Sequence, residues 1–282
     1  MRDNQTIHVV YACDDNYTLP LCCSIKSILS NANQQDKYMI YILNNPDNLS
    51  QEKKELIMQL ETENCSIKFI SADKKLFEKF SISNDCQHTT IETYYRFVLA
   101  TTLKDVDKVI YIDCDTTVLT DLSDLYNINI EHKYLAACDD FSCKSFKQRL
   151  GLNTYVNAGV MLFNLKKIRE DNIEPKLFEY ALSHKNSIPF QDQDVMNVVF
   201  QDGIEKIDNS WNTQIAYYSL CDNYRINQIQ QNAKIIHYIC EIKPWQYEYK
   251  ALFKILFFKY FEELPYNIKF LLLDFSPKEN TV

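Results

Sequence analysis

Lys108-Val109-Ile110-Tyr111-Ile112-Asp113-Cys114-Asp115 decides the fold class. Its apolar residues run without alternation, the pattern of a strand buried on both faces of a parallel sheet. The run then stops in a carboxylate, a small residue and a second carboxylate. Ligands of open α/β sheets bind beyond the carboxyl ends of the strands, so these eight residues mark both a core strand and a candidate site. Positions i and i+2 of an extended segment face the same side, roughly 6.5–7 Å apart. Two carboxylates placed there repel each other unless a cation bridges them. Cys114 faces the other way, into apolar packing.

Outward from this strand, short β-rich runs alternate with helical patterns. Ile7–Ala12, Tyr38–Leu43 and Ile67–Ile70 read as strands. Helical stretches follow at Leu19–Leu29 and from Ser50, an N-cap, to about Leu60. Further on, Tyr134–Cys138, Val160–Phe163 and Ile235–Ile239 have strand composition, with helical patterns around Lys176–Ser183 and Asp194–Val199 between them. The class is α/β, with a mostly parallel sheet flanked by helices. Residues 1–246 read as one catalytic domain. The segment 247–282 has a different character, with aromatic residues from Tyr247 to Phe275 interleaved with lysines and carboxylates of equal number. Two readings of it stay open: a helix packed on the domain, or an element lying in a membrane interface near a lipid-linked acceptor.

Composition narrows the chemistry. The 282 residues are 46% hydrophobic and 24% charged, as expected of a globular protein, but only three are glycine. Average usage of ~7% would give roughly twenty. Gly151, Gly159 and Gly203 lie too far apart for G-x-G-x-x-G, G-x-x-x-x-G-K-[ST] or G-x-S-x-G. A phosphate must therefore be met by a metal, side chains or helix ends. A net charge of −8 argues against nucleic acid as a partner. The start of the chain has no apolar leader and no apolar run approaches eighteen residues, so the expected location is the cytoplasm. The ten cysteines form no C-x-x-C pair and read as buried, reduced thiols.

Acidic pairs also end the first strand and the Tyr134–Cys138 strand: Asp14-Asp15 and Asp139-Asp140. Either pair suits a turn equally well. A second chemical element is His237, directly after Ile235-Ile236, with Lys243 six residues on before Pro244-Trp245. A histidine with two carboxylates suits an octahedral cation whose remaining ligands are phosphate oxygens. The imidazole favours Mn²⁺ over Mg²⁺, which prefers all-oxygen shells. Lys243 would add a point charge for the same phosphates.

Six segments occur in a telling order: Ala12-Cys13-Asp14-Asp15-Asn16-Tyr17, Thr93-Tyr94-Tyr95-Arg96, Asp113-Cys114-Asp115, Val156-Asn157-Ala158-Gly159-Val160, Gln191-Asp192-Gln193-Asp194 and His237…Lys243-Pro244-Trp245. Together, over about residues 6–246, they resemble glycosyltransferase family 8, especially its bacterial lipopolysaccharide and lipooligosaccharide galactosyl- and glucosyltransferases. The resemblance implies a GT-A fold. It also implies transfer of galactose or glucose from UDP-galactose or UDP-glucose to a saccharide acceptor, with retention of configuration.

Residue by residue, the resemblance makes Asp113, Asp115 and His237 the Mn²⁺ ligands. Ala12, Asp14, Asn16 and Tyr17 would hold uracil and ribose. Cys114, Ala158, Cys240 and Lys243 would complete the donor site, Lys243 and the backbone near Cys240 at the diphosphate. Arg96, Asn157, Asp192 and Gln193 would surround the donor sugar, and His88 and Phe190 would contact the acceptor. Cys240 departs from the family pattern, which usually has glycine there, and a cysteine at φ > 0 would cost roughly 1 kcal/mol or more. Gln193 resembles the family residue nearest the back face of the anomeric carbon, and an amide is a poor nucleophile. Same-face displacement is therefore the expected course, with Asp192 the candidate nucleophile for a covalent alternative. Two rival readings are a self-glucosylating protein resembling glycogenin and a nucleotide-sugar-binding protein without transfer activity.

Overall fold

The apolar runs pair edge to edge, as their lack of alternation requires. In the computed structural model, which describes residues 5–80, 90–140, 143–185, 187–215, 229, 231–239, 241–246, 248–249 and 253–270, ten strands are formed. These are β1 (Thr6–Ala12), β2 (Lys37–Asn44), β3 (Cys65–Ser71), β4 (Lys108–Ile112), β5 (Thr116–Val118), β6 (Leu135–Asp139), β7 (Val156–Asn164), β8 (Ile204–Lys206), β9 (Thr213–Gln214) and β10 (Ile235–His237). Seven make one sheet in the order β3-β2-β1-β4-β7-β6-β8. β1 lies parallel to β2 and β4, β2 to β3, and β6 to β8. β7 is antiparallel to both β4 and β6. The sheet is mostly parallel with helices on both faces, a GT-A arrangement.

Alternate residues of the central strands feed two separate cores, which is why these strands show no polar face. Val9, Ile110 and Ile112 join Leu21, Cys22 and Ile25 of the helix Thr18–Asn31 on one side. Val10, Val109 and Tyr111 join Tyr94, Phe97, Leu177 and Val195 on the other. Cys114 belongs to the first core, as its parity predicts, and donates its thiol proton to Ala12 O at 3.2 Å. Cys13, Cys22, Cys23, Cys65, Cys114 and Cys138 are all buried and unbridged. Burial pushes the Cys22 and Cys65 thiols up to about 12, so they fill the core as protonated small hydrophobes.

The structure differs from expectation at the end of the chain. The strand read as Ile235–Ile239 is only Ile235–His237, and it leaves the main sheet. It forms a second, three-stranded sheet in the order β5-β10-β9. β10 runs antiparallel to β5 and parallel to β9. β5, β8 and β9 are two or three residues long, too short for any hydrophobic period to announce them.

The helix Lys254–Glu262 packs on the helix Thr18–Asn31. Asn31 Nδ2 donates to Tyr260 Oη at 2.8 Å and Ser30 Oγ to Glu263 Oε2 at 2.5 Å. Phe253, Phe257, Leu264 and Ile268 enter the same core as β1, and Trp245 lies 5.3 Å from Phe257 between ring centres. Ile255, Phe258, Tyr266 and Phe270 remain exposed. Tyr247, Lys250 and residues 271–282, with Phe275, lie outside the described residues. Among the described residues no helix is long and apolar enough to cross a membrane.

Because Phe257 is 1% exposed within this shared core, Phe257→Ala should destabilise the whole protein by ~3–5 kcal/mol. Urea unfolding followed at Trp211 and Trp245 should show one transition at a lower midpoint. A separate early transition with the main one unmoved would show that the C-terminal helix is dispensable to the sheet.

Candidate active site

The site grows from the carboxyl end of β4. Asp113 follows Tyr111 by two residues, so both face the same core, and Tyr111 Oη donates to Asp113 Oδ1 at 2.9 Å. Burial pushes the Tyr111 phenol well above its ordinary value, which keeps it a donor. Arg96 comes to the same oxygen from a 3-10 helix, Ile91–Val98, with Nη2 3.1 Å from Asp113 Oδ1. Its guanidinium stacks 4.1 Å from the Tyr111 ring centre and donates Nη1 to Ala158 O at 2.6 Å. Nε donates to Thr93 O at 2.9 Å and also lies 3.1 Å from Asp192 Oδ2. Asp192 Oδ1 accepts from Thr93 Oγ1 at 2.5 Å. Burial raises the Asp192 carboxyl above its ordinary value, with Arg96 and Thr93 opposing.

His237 is delivered by register. In the small sheet it stands opposite Thr116 of β5, and Tyr238 N donates to Asp115 O at 2.9 Å. Its Nε2 lies 3.7 Å from Asp113 Oδ2 and 3.4 Å from Asp115 Oδ1. Donor atoms of Asp113, Asp115 and His237 all fall within 4.8 Å of one another. The other ring nitrogen, Nδ1, is 3.0 Å from Asn212 Oδ1. Asn212 in turn donates Nδ2 to Asn157 Oδ1 at 2.8 Å, so its oxygen is left to accept the Nδ1 proton. In neutral His237 this turns the lone pair of Nε2 toward two carboxylates, the tautomer that a metal ligand needs.

Gly159 is what allows this approach. It lies in β7 beside the end of β4, and Asp113 N donates to its carbonyl at 2.8 Å. A Cβ there would collide with His237 Cε1 and come within 2.6 Å of Nδ1 and 2.9 Å of Asp113 Oδ2. Lys243 closes the other side, with Nζ 2.7 Å from Asp115 Oδ2 and 2.8 Å from Tyr238 O. Burial alone would raise the Asp115 carboxyl. Lys243, the largest opposing influence, instead holds it well below the ordinary carboxylate range.

The polar chain continues from Asn157. Its Nδ2 donates to Asp140 Oδ2 at 3.0 Å, and Gln193 Nε2 donates to the same oxygen at 3.2 Å. Gln193 Oε1 accepts from Ala158 N at 3.0 Å, and its Nε2 also reaches Tyr155 Oη at 3.2 Å. Both ends of this amide are therefore held. Tyr155 donates to Asp194 Oδ1 at 2.6 Å, where Arg149 Nη2 also arrives at 2.6 Å. The turn that enters the helix Gln191–Val199 is strained, with Gln191 at φ +40°. Such a left-handed non-glycine residue costs ~1–3 kcal/mol and persists where its surroundings impose it.

At the end of β1, Asp14 caps a short 3-10 turn by accepting Tyr17 N at 3.0 Å, and Asn16 Nδ2 lies 3.5 Å from its other oxygen. Burial raises the Asp14 carboxyl and the Tyr17 phenol. The half-buried Tyr17 ring meets Trp245 edge-on, 6.0 Å between centres. Phe190 sits further out, 4.4 Å from Phe146 and beneath Arg149. Ala12, Asp14, Asn16, Tyr17, Arg96, Asp113, Asp115, Asn157, Ala158, Asp192, Gln193, His237 and Lys243 thus gather around the carboxyl ends of β1 and β4 and the start of β7. His88 and Cys240 lie outside the described residues. Sequence reading missed Tyr111, Asn212, Tyr155 and Asp194 as partners. Asp140 carried a signal only as one of a strand-ending acidic pair.

Comparison with known proteins agrees with this geometry. The model of glycosyl transferase family 8 matches residues 8–249. General stress protein A of Bacillus subtilis strain 168 is 26% identical over 95% of this chain and 97% of its own length. The lipopolysaccharide 1,2-glucosyltransferase of Escherichia coli is 26% identical over 86% of this chain and 75% of its own. Among solved structures, the galactosyltransferase LgtC in complex with donor and acceptor sugar analogues aligns with a TM-score of 0.80 at 26% identity, covering 93% of this chain and 99% of that one. With the fold, the Asp-Asp-His cluster and a match across most of its length, the chain belongs to glycosyltransferase family 8.

Proposed function

We propose that the protein is a Mn²⁺-dependent, retaining hexosyltransferase that moves galactose or glucose from its UDP-sugar to a saccharide acceptor, a bacterial surface-glycan precursor. The observation that carries this reading is the convergence of Asp113, Asp115 and the Nε2 of His237 within 4.8 Å. Two carboxylates and an imidazole form a mixed oxygen–nitrogen donor set, which suits Mn²⁺ better than Mg²⁺. The galactosyltransferase and glucosyltransferase relatives support both hexoses, and the choice of acceptor class rests on the lipopolysaccharide enzyme. In this reading residues 1–246 are the catalytic unit. The exposed Ile255, Phe258, Tyr266 and Phe270 meet the cytoplasmic membrane surface where a lipid-linked acceptor is presented.

Each residue then has a task. Ala12, Asp14, Asn16 and Tyr17 receive the nucleoside at the end of β1. Asp113, Asp115 and His237 would hold the cation, which when bound supplies Lewis-acid stabilisation of the leaving diphosphate. Lys243 adds a fixed positive charge at the same place. Arg96 neutralises Asp113 Oδ1, so that Oδ2 is the oxygen turned toward His237. Asn157 and Gln193 are oriented by Asp140 and face the donor sugar.

The engagement of Asp192 by Thr93 and Arg96 argues against it as a nucleophile. Gln193 is an amide with both ends held. Same-face displacement fits these constraints. The bond from the anomeric carbon to the phosphate oxygen breaks as the bond to the acceptor oxygen forms, and a diphosphate oxygen takes the acceptor proton.

Asp113→Ala and Asp115→Ala should each abolish Mn²⁺-dependent UDP release while circular dichroism stays native. EDTA should do the same to the wild type, reversibly. Undiminished turnover in either variant would remove the metal from the mechanism. A panel of UDP-sugars with and without saccharide acceptors, read by UDP release and intact mass, tests the rest. Mass added to the protein itself would favour self-glucosylation, and binding without UDP release would favour a non-catalytic role. Gly159→Ala should weaken Mn²⁺ binding on the order of 10–100-fold by displacing His237, as read by calorimetry. Unchanged affinity would mean that His237 is not a ligand.

A further inference from the structure

His237 stands at one end of a hydrogen-bonded chain whose direction is set at the other. The chain runs from His237 Nδ1 to Asn212 Oδ1 at 3.0 Å, from Asn212 Nδ2 to Asn157 Oδ1 at 2.8 Å, and from Asn157 Nδ2 to Asp140 Oδ2 at 3.0 Å. Its members come from the end of β10, the 3-10 turn Asn209–Asn212, β7 and the residue after β6. All four are buried, Asn212 at 1% exposure.

A primary amide can turn over, so two amides in series have no direction of their own. Asn157 is held against turning over. Its Oδ1 also accepts from Gly159 N at 2.9 Å, and a backbone N–H can only donate. Its Nδ2 meets Asp140, and a carboxylate can only accept. Turned over, Asn157 would set donor against donor and acceptor against acceptor, and buried polar groups left unmet are costly. Asn212 inherits this direction, because its Oδ1 in place of Nδ2 would face Asn157 Oδ1. It therefore keeps an acceptor against His237 Nδ1. The near end pulls the other way: the carboxylates of Asp113 and Asp115, 3.7 and 3.4 Å from Nε2, draw the proton to that nitrogen.

The same bonds limit what Asn157 can offer a sugar. Both lone pairs of Oδ1 and one N–H are used among the described residues, which leaves one N–H for a hydroxyl. We propose that Asn157 is a positioning residue for His237, acting through Asn212 to keep the imidazole proton on Nδ1 and the Nε2 lone pair toward Asp113 and Asp115. Its consequence for Mn²⁺ rests on the proposed metal-dependent activity. The place of the proton does not.

The test is long-range proton–nitrogen correlation NMR on the metal-free full chain with isotope-labelled histidine, which shows which nitrogen of the neutral ring carries the proton. Wild type should show Nδ1–H. In Asn157→Ala the Nε2–H form should become the major one. Mn²⁺ affinity without nucleotide, read by electron paramagnetic resonance, should fall on the order of 10-fold in that variant. Adding Asn212→Asp to Asn157→Ala should return the proton to Nδ1, because a carboxylate accepts whichever way it is turned, and this exchange would not repair a mere packing defect. Should Asn157→Ala not fold, Asn157→Ser, with a hydroxyl too short to reach Asn212, carries the same expectation. Nε2–H in wild type overturns the proposal, as does an Asn157 variant whose proton stays on Nδ1 or whose Mn²⁺ affinity holds after the proton has moved. If the proton follows the variants while wild type binds no Mn²⁺, the metal-dependent hexosyltransferase reading fails and the role of Asn157 toward His237 stands.

Discussion

A full positive charge on Arg96, in a side chain only 3% exposed, is the constraint around which the candidate centre is arranged. Desolvating such an ion costs several kcal/mol, and the loss is offset only when every donor finds a partner. Here the partners come from four different elements. Thr93 lies on its own 3-10 helix, Tyr111 and Asp113 at the end of β4, Ala158 in β7, and Asp192 at the start of the helix Gln191–Val199. Removing one member of a buried ionic set costs ~3–5 kcal/mol, whereas an apolar replacement of the whole set is often as stable. Stability alone therefore does not explain the arrangement. Its consequence is directional: with Arg96 and Tyr111 on Oδ1, Asp113 has one oxygen left, and that oxygen faces His237.

The charge balance of the centre follows from the same contacts. Asp113, Asp115 and Asp192 stand against Arg96 and Lys243, which leaves one net negative charge where His237 is neutral. Asn212 accepts from Nδ1, so the imidazole meets the two carboxylates through a lone pair. This is an unfavourable contact for the protein alone and a favourable one for a divalent cation. Adding such a cation would turn the net charge positive, the sign that a diphosphate requires.

What the sequence disclosed follows the range of the signals. β4 and Asp113-Cys114-Asp115 were legible because a continuous apolar run and an i, i+2 pair are local patterns. The two-core parity of β1 and β4 was legible for the same reason. β10 was legible as a strand but not as part of a second sheet, because its partners β5 and β9 are two or three residues long and its register is a long-range fact. Nothing near Arg96 announces that it is buried, and its place came only from the family resemblance. Asn212 and Tyr155 are polar residues in the interior, recognisable only once their partners are assembled. Asp140 reaches Asn157 and Gln193 beside an irregularity in the β6–β7 pairing between Ala137 and Asp139, which no composition signal encodes.

The scarcity of glycine takes its meaning from Gly159. Glycine in a central strand is ordinarily a loss, roughly 0.5–1 kcal/mol relative to alanine. A chain with three glycines in 282 residues places one of them in β7, flanked by Ala158 and Val160 and paired across to the end of β4. The space kept open by the missing Cβ is filled by the His237 ring and an oxygen of Asp113. In glycine-loop proteins the absent side chain lets the backbone approach a phosphate. Here it lets an imidazole approach a carboxylate, so phosphate recognition passes to charged side chains, and the glycine serves the geometry of those side chains instead.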